Sequence, residues 1–131
     1  MSVELLMLVY SAVLFLVIIL VQAGLGISQN GLMAQAGNRD NLAEPTVLRQ
    51  RLQRLSANMQ ENLVLFAIVV LVASAAGVSN DTTAMGAVVF FYARVGHAII
   101  YTFGWPVIRP LFYFAGVIGV GMIGVEVLKM S

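Results

Sequence analysis

Four long apolar runs, divided by short polar breaks, leave this chain few folds to choose from. They fall at about residues 5–27, 62–78, 83–103 and 107–129, each close to the ~20 residues a helix needs to cross a bilayer. In hydrocarbon, backbone polar groups must be satisfied inside the segment, so separate spans of this length are helices. Composition agrees: 60% of the residues are hydrophobic and 10% charged, far above the apolar share of a soluble domain. The expectation is an all-α integral membrane protein, a four-transmembrane-helix bundle with residues 1–131 as a single domain.

Several function classes drop out. A net charge of +1 argues against a nucleic-acid partner. The absence of cysteine excludes disulfides, thiolate-ligated zinc, iron–sulfur clusters and a cysteine nucleophile. One histidine and no carboxylate cluster argue against a protein metal site. Any sulfur chemistry must therefore use a thiol carried in by a ligand. The first run lacks a basic leader and a convincing small-residue cleavage site, so it reads as a retained span.

The breaks have their own signals. Gly24, Gly26 and Ser28 near the end of the first run permit close approach by a neighbour. Residues 29–45, with Gly-Asn-Arg-Asp-Asn at 37–41, read as a long loop. The next helix is expected to start near Glu44-Pro45-Thr46, with Pro45 at an early position that tolerates its missing N–H and the apolar run 62–78 as its second part. From Thr46 to Gly77 it would measure about 48 Å against a hydrocarbon core of about 30 Å, so its first turns stand outside the core. Asp81 is expected to cap the third span, and Gly104-Trp105-Pro106 to end it. Ala115, Gly116, Gly119, Gly121 and Gly124 suit tight packing of the fourth, with Ala115 and Gly119 as a small-xxx-small pair.

Arg39, Arg49, Arg51, Arg54 and Arg109 lie in or beside the first and third loops, whereas the opposite side has Lys129. The positive-inside rule then puts the first and third loops in the cytoplasm and both termini on the other side.

The stretch 51–66 turns from a basic helix into an apolar run within a few residues. Arg54, Asn58 and Glu61 (i, i+4, i+7) are expected to share one face there, one turn after Arg51. Arg94, His97 and Tyr101 share a face of the third span, and Arg109 and Tyr113 open the fourth. All approach one membrane level, and polar groups at that depth usually face a bundle interior or a wet cavity. Two readings stand for Glu61: a ligand contact, or a salt bridge to Arg94 or Arg54. His97 reads first as an interhelical hydrogen-bonding residue and second as a ligand contact, and Arg94 as structural. Guanidiniums, a carboxylate, an amide and two phenols suit a small anionic ligand bearing an amine. An arginine there would also hold an incoming thiol as thiolate.

Taken together, Gly37–Asn41, R-x-x-R-x-x-x-N-x-x-E-N-L at 51–63, R-V-x-H-x-x-x-Y at 94–101, and Pro106-x-x-Arg109 with Tyr113 resemble the MAPEG family. The name stands for membrane-associated proteins in eicosanoid and glutathione metabolism. The resemblance covers nearly the whole chain and is greatest to small bacterial members, which implies a bacterial inner membrane. It implies a homotrimer with glutathione as co-substrate between neighbouring subunits near the cytoplasmic side. Arg54, Asn58 and Glu61 would hold glutathione from the second span, His97 and Tyr101 from the third, and Tyr113 from the fourth. Arg109 matches the arginine that stabilises the thiolate. The implied activity is a glutathione-dependent transferase or peroxidase acting on lipophilic compounds from the bilayer. The alternative is a non-catalytic scaffold or small-ligand binder of the same fold. Ala57 stands where eicosanoid-forming members often carry a second arginine. Pro110 replaces a serine, and Gln22 an arginine. Each departure removes a contact and counts against prostaglandin or leukotriene synthesis.

Overall fold

The computed structural model describes residues 1–40 and 42–131, so the last residue of the Gly37–Asn41 motif lies outside the described residues. It contains five helices: α1 (Val3–Asn30), α2 (Leu32–Ala36), α3 (Val47–Ala75), α4 (Asp81–Phe103) and α5 (Arg109–Leu128). All but α2 are long and apolar enough to cross a membrane. At 1.5 Å per residue, α3 extends about 43 Å, so it overshoots a hydrocarbon core of about 30 Å. Arg49, Arg51 and Arg54 all fall in its first turns.

Local chemistry sets the ends. Ser2 caps α1 by accepting from the Leu5 N–H, and Thr46 caps α3 by accepting from the Arg49 N–H. Pro45 thus precedes the cap of α3 and stands outside the helix. Asn80, and not Asp81, caps α4: its side chain accepts from the Thr83 N–H while the Thr83 hydroxyl accepts from the Asn80 N–H. Asp81 lies one residue later, in the first turn, where its charge favours the helix N-terminus. Gly104 ends α4 at φ 74°, and its N–H reaches the carbonyls of Ile100 and Tyr101. Pro110 sits in the first turn of α5, where a missing N–H breaks no helical bond.

The 29–45 segment differs from the expected plain loop. Gln29 and Asn30 continue α1, and the single turn and a half of α2 folds back beneath it. Gln29 ties the two sides of the segment together, donating from Nε2 to the Glu44 carbonyl (2.6 Å) and accepting from Arg49 Nη1.

α4 and α5 form the closest pair, and α1 packs on both α3 and α4. Gly86 and Gly119 set that α4–α5 approach, because a Cβ on Gly119 would lie 2.5 Å from the Gly86 carbonyl oxygen. The expected stripe of small residues is thus divided: Gly116 and Gly119 are buried against α4, whereas a Cβ on Gly121 or Gly124 would meet nothing within 4 Å.

Two apolar clusters fill the interior. One gathers Met7, Phe66, Val70, Phe90 and Ile123, with the Phe66 and Phe90 rings stacked at 3.9 Å. The other joins Ile18 to Leu52, Leu55 and Met59. Beside the second cluster, Asn58 of α3 meets Arg94 of α4, and Asn62 bonds to Asn58 from one turn further on. The outward positions Val13, Leu16, Val17 and Leu20 of α1 are exposed, as a lipid-facing helix surface requires.

Candidate functional site

The polar layer begins with Arg94, which is 1% exposed. Its Nη2 donates to Asn58 Oδ1 at 2.7 Å, and Asn58 is held in turn by Asn62, whose Nδ2 donates to the Asn58 carbonyl at 2.8 Å. Arg94 Nε and Nη1, and His97 Nδ1, meet no partner among the described residues. A guanidinium buried this deeply needs acceptors, and the described residues supply one amide oxygen.

One turn beyond Arg94 the layer opens into a cavity of about 320 Å³. Asn58 of α3, His97 and Tyr101 of α4, and Arg109, Tyr113 and Phe114 of α5 line it together with Pro110. The Arg109 guanidinium lies 4.8 Å from the centre of the Tyr101 ring, a cation–π contact that fixes its direction. The His97 ring centroid is 5.5 Å from that of Tyr101 and 6.4 Å from that of Tyr113. The helix break at Gly104 makes this possible: it turns the chain so that the start of α5 stands beside the end of α4. The cavity therefore has one cation at its mouth, a second beneath Asn58, two phenols and an imidazole. Such a set accepts an anion and supplies hydrogen-bond donors around it.

Five of the seven residues singled out in the sequence meet here: Asn58, His97, Tyr101, Arg109 and Tyr113. The other two do not. Arg54 and Glu61 are exposed, and Glu61 lines a separate surface depression with Ala57, Gln60 and Val64. Helical geometry gives the reason. At 3.6 residues per turn, Arg54 and Glu61 fall within about 20° of each other, with Asn58 about 40–60° round the helix. That difference turns Asn58 toward α4 and leaves the other two on the outer surface. Neither Glu61 nor Arg54 has an ion-pair partner among the described residues. The salt bridge considered for Glu61 is therefore absent within the protomer, and Asn58 stands at Arg94 in its place.

Arg51 packs its guanidinium where a Cβ on Gly104 would be, which fits a structural part. Asn62 was not singled out by sequence reasoning, although its i+4 relation to Asn58 was visible. The opposite end of the bundle has its own polar cluster. Glu4 is buried and accepts from the Ser79 and Thr83 hydroxyls, while Lys129 pairs with Glu126 at 2.9 Å.

Four membrane-length helices with a cationic, aromatic cavity near one end define the class as a polytopic, all-helical membrane protein. The chain belongs to the MAPEG family, whose model matches residues 7–128 of the 131. Searches of curated proteins and of solved structures find no match.

Proposed function

We propose that the protein is a membrane-bound, glutathione-dependent transferase or peroxidase acting on lipophilic electrophiles. The observation that carries this reading is the gathering of Asn58, His97, Tyr101, Arg109 and Tyr113 around one cavity. Glutathione presents two carboxylates, an ammonium and a thiol. The guanidiniums suit its carboxylates, and Arg109 suits the thiolate. Arg54 and Glu61 enter the proposal through assembly. Exposed on one protomer, they would be brought to the cavity of a neighbouring copy in a homotrimer, with Glu61 receiving the ammonium. In a bacterial inner membrane with the arginine-rich loops in the cytoplasm, the cavity would face the glutathione-containing compartment. The exposed Phe114 at its rim would let a substrate enter from the lipid.

In conjugation, the thiolate held by Arg109 forms a carbon–sulfur bond while the electrophile's leaving group departs with the bonding pair. In peroxide reduction, the sulfur attacks the O–O bond, an alcohol leaves after protonation, and a second glutathione converts the oxidised sulfur to a disulfide and water. Neither route needs a protein nucleophile. Orientation and charge placement do the work.

Thermal unfolding of the purified protein tests this. Glutathione and an S-alkyl analogue should both raise Tm, by mass action worth about 2.7 kcal/mol when free ligand is about 100 times Kd. Arg54→Ala and Glu61→Ala should each weaken binding by about 10- to 150-fold, as loss of a charge-assisted contact. Arg109→Ala should retain much of the binding but lose the ultraviolet absorbance of the thiolate and lose turnover. An intact trimer that glutathione at millimolar concentration fails to stabilise would favour the non-catalytic scaffold, with Asn58 and Arg94 serving only to pin the bundle.

A further inference from the structure

A larger cavity, about 470 Å³, lies between the end of α1, the short α2 and the first turns of α3. It shares no lining residue with the cavity at Arg109. Its polar lining consists of Arg39, Arg49, Gln22, Gln35 and Gln53: two guanidiniums, three amides and no carboxylate.

Arg49 is 5% exposed, so this is a buried cation. Gln29 accepts from its Nη1, but Nε meets no acceptor among the described residues. A buried charged donor left in that state is unfavourable unless something supplies an oxygen. Arg39 stands at the same cavity in an uncommon backbone state, with φ 68° in a residue other than glycine. Its Nε donates to the Gln35 carbonyl at 2.7 Å, which holds the guanidinium in place. Gln35 lays its amide over Gly26, where a Cβ would lie 2.7 Å from Gln35 Nε2.

The remaining wall is apolar and directional. Ile19, Ala23 and Ile27 line the cavity at i, i+4 and i+8, one stripe running along α1 toward the hydrocarbon. Ile19 and Ile27 are each 40% exposed, so the stripe continues the lipid-facing surface of α1. The cavity joins a cationic, amide-rich end to a hydrocarbon-compatible groove. A free anion would satisfy only the first part, and a neutral lipid only the second.

We propose that this cavity holds the headgroup phosphate of an anionic phospholipid, with Arg39 and Arg49 on the phosphate and an acyl chain along Ile19, Ala23 and Ile27. Seated there, the lipid ties α1, the connecting segment and α3 together at the membrane surface. Arg39 and Arg49, on which the assignment rests, are not among the residues proposed to hold glutathione.

Thermal unfolding of the delipidated protein in detergent reads it out. Phosphatidylglycerol should raise Tm more than phosphatidylcholine of the same chain length, and inorganic phosphate at equal phosphorus should give little. Arg39→Gln, at an exposed position, should raise the phosphatidylglycerol concentration needed for half the shift by about tenfold. Arg49→Lys, which keeps the charge but loses the planar fork, should also weaken the response. If the Arg49 variant fails to fold, Arg39→Gln alone decides. Glutathione stabilisation, where present, should be the same in Arg39→Gln as in the unmodified protein, so the two sites fail separately. Equal responses to the two lipids, or an unchanged phosphatidylglycerol response in Arg39→Gln, would overturn the proposal. A phosphate response matching that of phosphatidylglycerol would replace the lipid with a free anion.

Discussion

Arg94 shows how a single buried charge organises the polar layer. Its Nη2 bond to Asn58 joins α4 to α3, and Asn62 braces Asn58 from one turn further along. Asn58→Ala removes the acceptor and leaves the guanidinium with nothing in its place, at a cost of about 1.5–3 kcal/mol. The expected result is a clear fall in Tm of the purified protein. Asn58→Asp keeps an oxygen at the same point, so its Tm should stay nearer that of the unmodified protein. Equal losses in both variants would mean that the amide's own donors matter more than its oxygen. Periodicity was enough to place Asn58 near the level of Arg94, since both belong to stripes that converge there. It could not separate Asn58 from Arg54 and Glu61, because a stripe about 60° wide includes an inward and an outward edge. Which edge meets a neighbour depends on the rotation of α3, and that is set by Leu52, Leu55 and Met59 packing on α1.

The contact between α4 and α5 is governed by which glycines face inward. Gly119 has the Gly86 carbonyl oxygen and the Phe90 N–H against it, both backbone atoms that cannot move aside as a side chain would. Gly119→Ala should therefore destabilise by about 1–3 kcal/mol through overpacking. Gly121→Ala, with open space around its Cβ position, should be neutral or gain up to about 1 kcal/mol from helix propensity. Comparing Tm of the two variants checks the orientation of α5 directly, and a larger loss at Gly121 would turn the helix round. The glycine-rich character of this segment is plain in the sequence, but its useful face is not. Glycines at 116, 119, 121 and 124 are spread widely round a helix, so composition alone implied a broader seam than the one that forms. Helix ends were more legible. The start near Thr46 and the break at Gly104 were both readable, whereas Pro45, expected early in the helix, precedes its cap. Asp81 was displaced as a cap because the Asn80–Thr83 pair satisfies both groups reciprocally one residue earlier. The five residues of α2 had no periodic signal to detect, since a turn and a half holds too few positions.

For the whole molecule, hydropathy determined the outcome because the bilayer imposes a single length scale. All four long apolar helices were readable, whereas the partition of the polar residues between an inner cavity and an outer face needed coordinates. The expected orientation of the bundle follows from charge. Arg39, Arg49, Arg51, Arg54 and Arg109 lie around the α1–α3 segment and the α4–α5 turn. At the other end, Lys129 is paired with Glu126, and Glu4 and Asp81 add negative charge. Lysine and arginine in short loops set topology, with carboxylates contributing little, so the arginine-rich end should be cytoplasmic. A reporter inserted between residues 36 and 46 should read as cytoplasmic, and reporters fused to either terminus should read as the opposite side. Even spans require the two termini to agree with each other, which makes the experiment internally checked. If both termini read as cytoplasmic, the fold stands but the cavity at Arg109 opens to the other compartment, where a cytoplasmic thiol could not serve it. If the termini disagree, one of the four apolar helices does not cross, and α3, whose first turns carry three arginines, is the one to examine first.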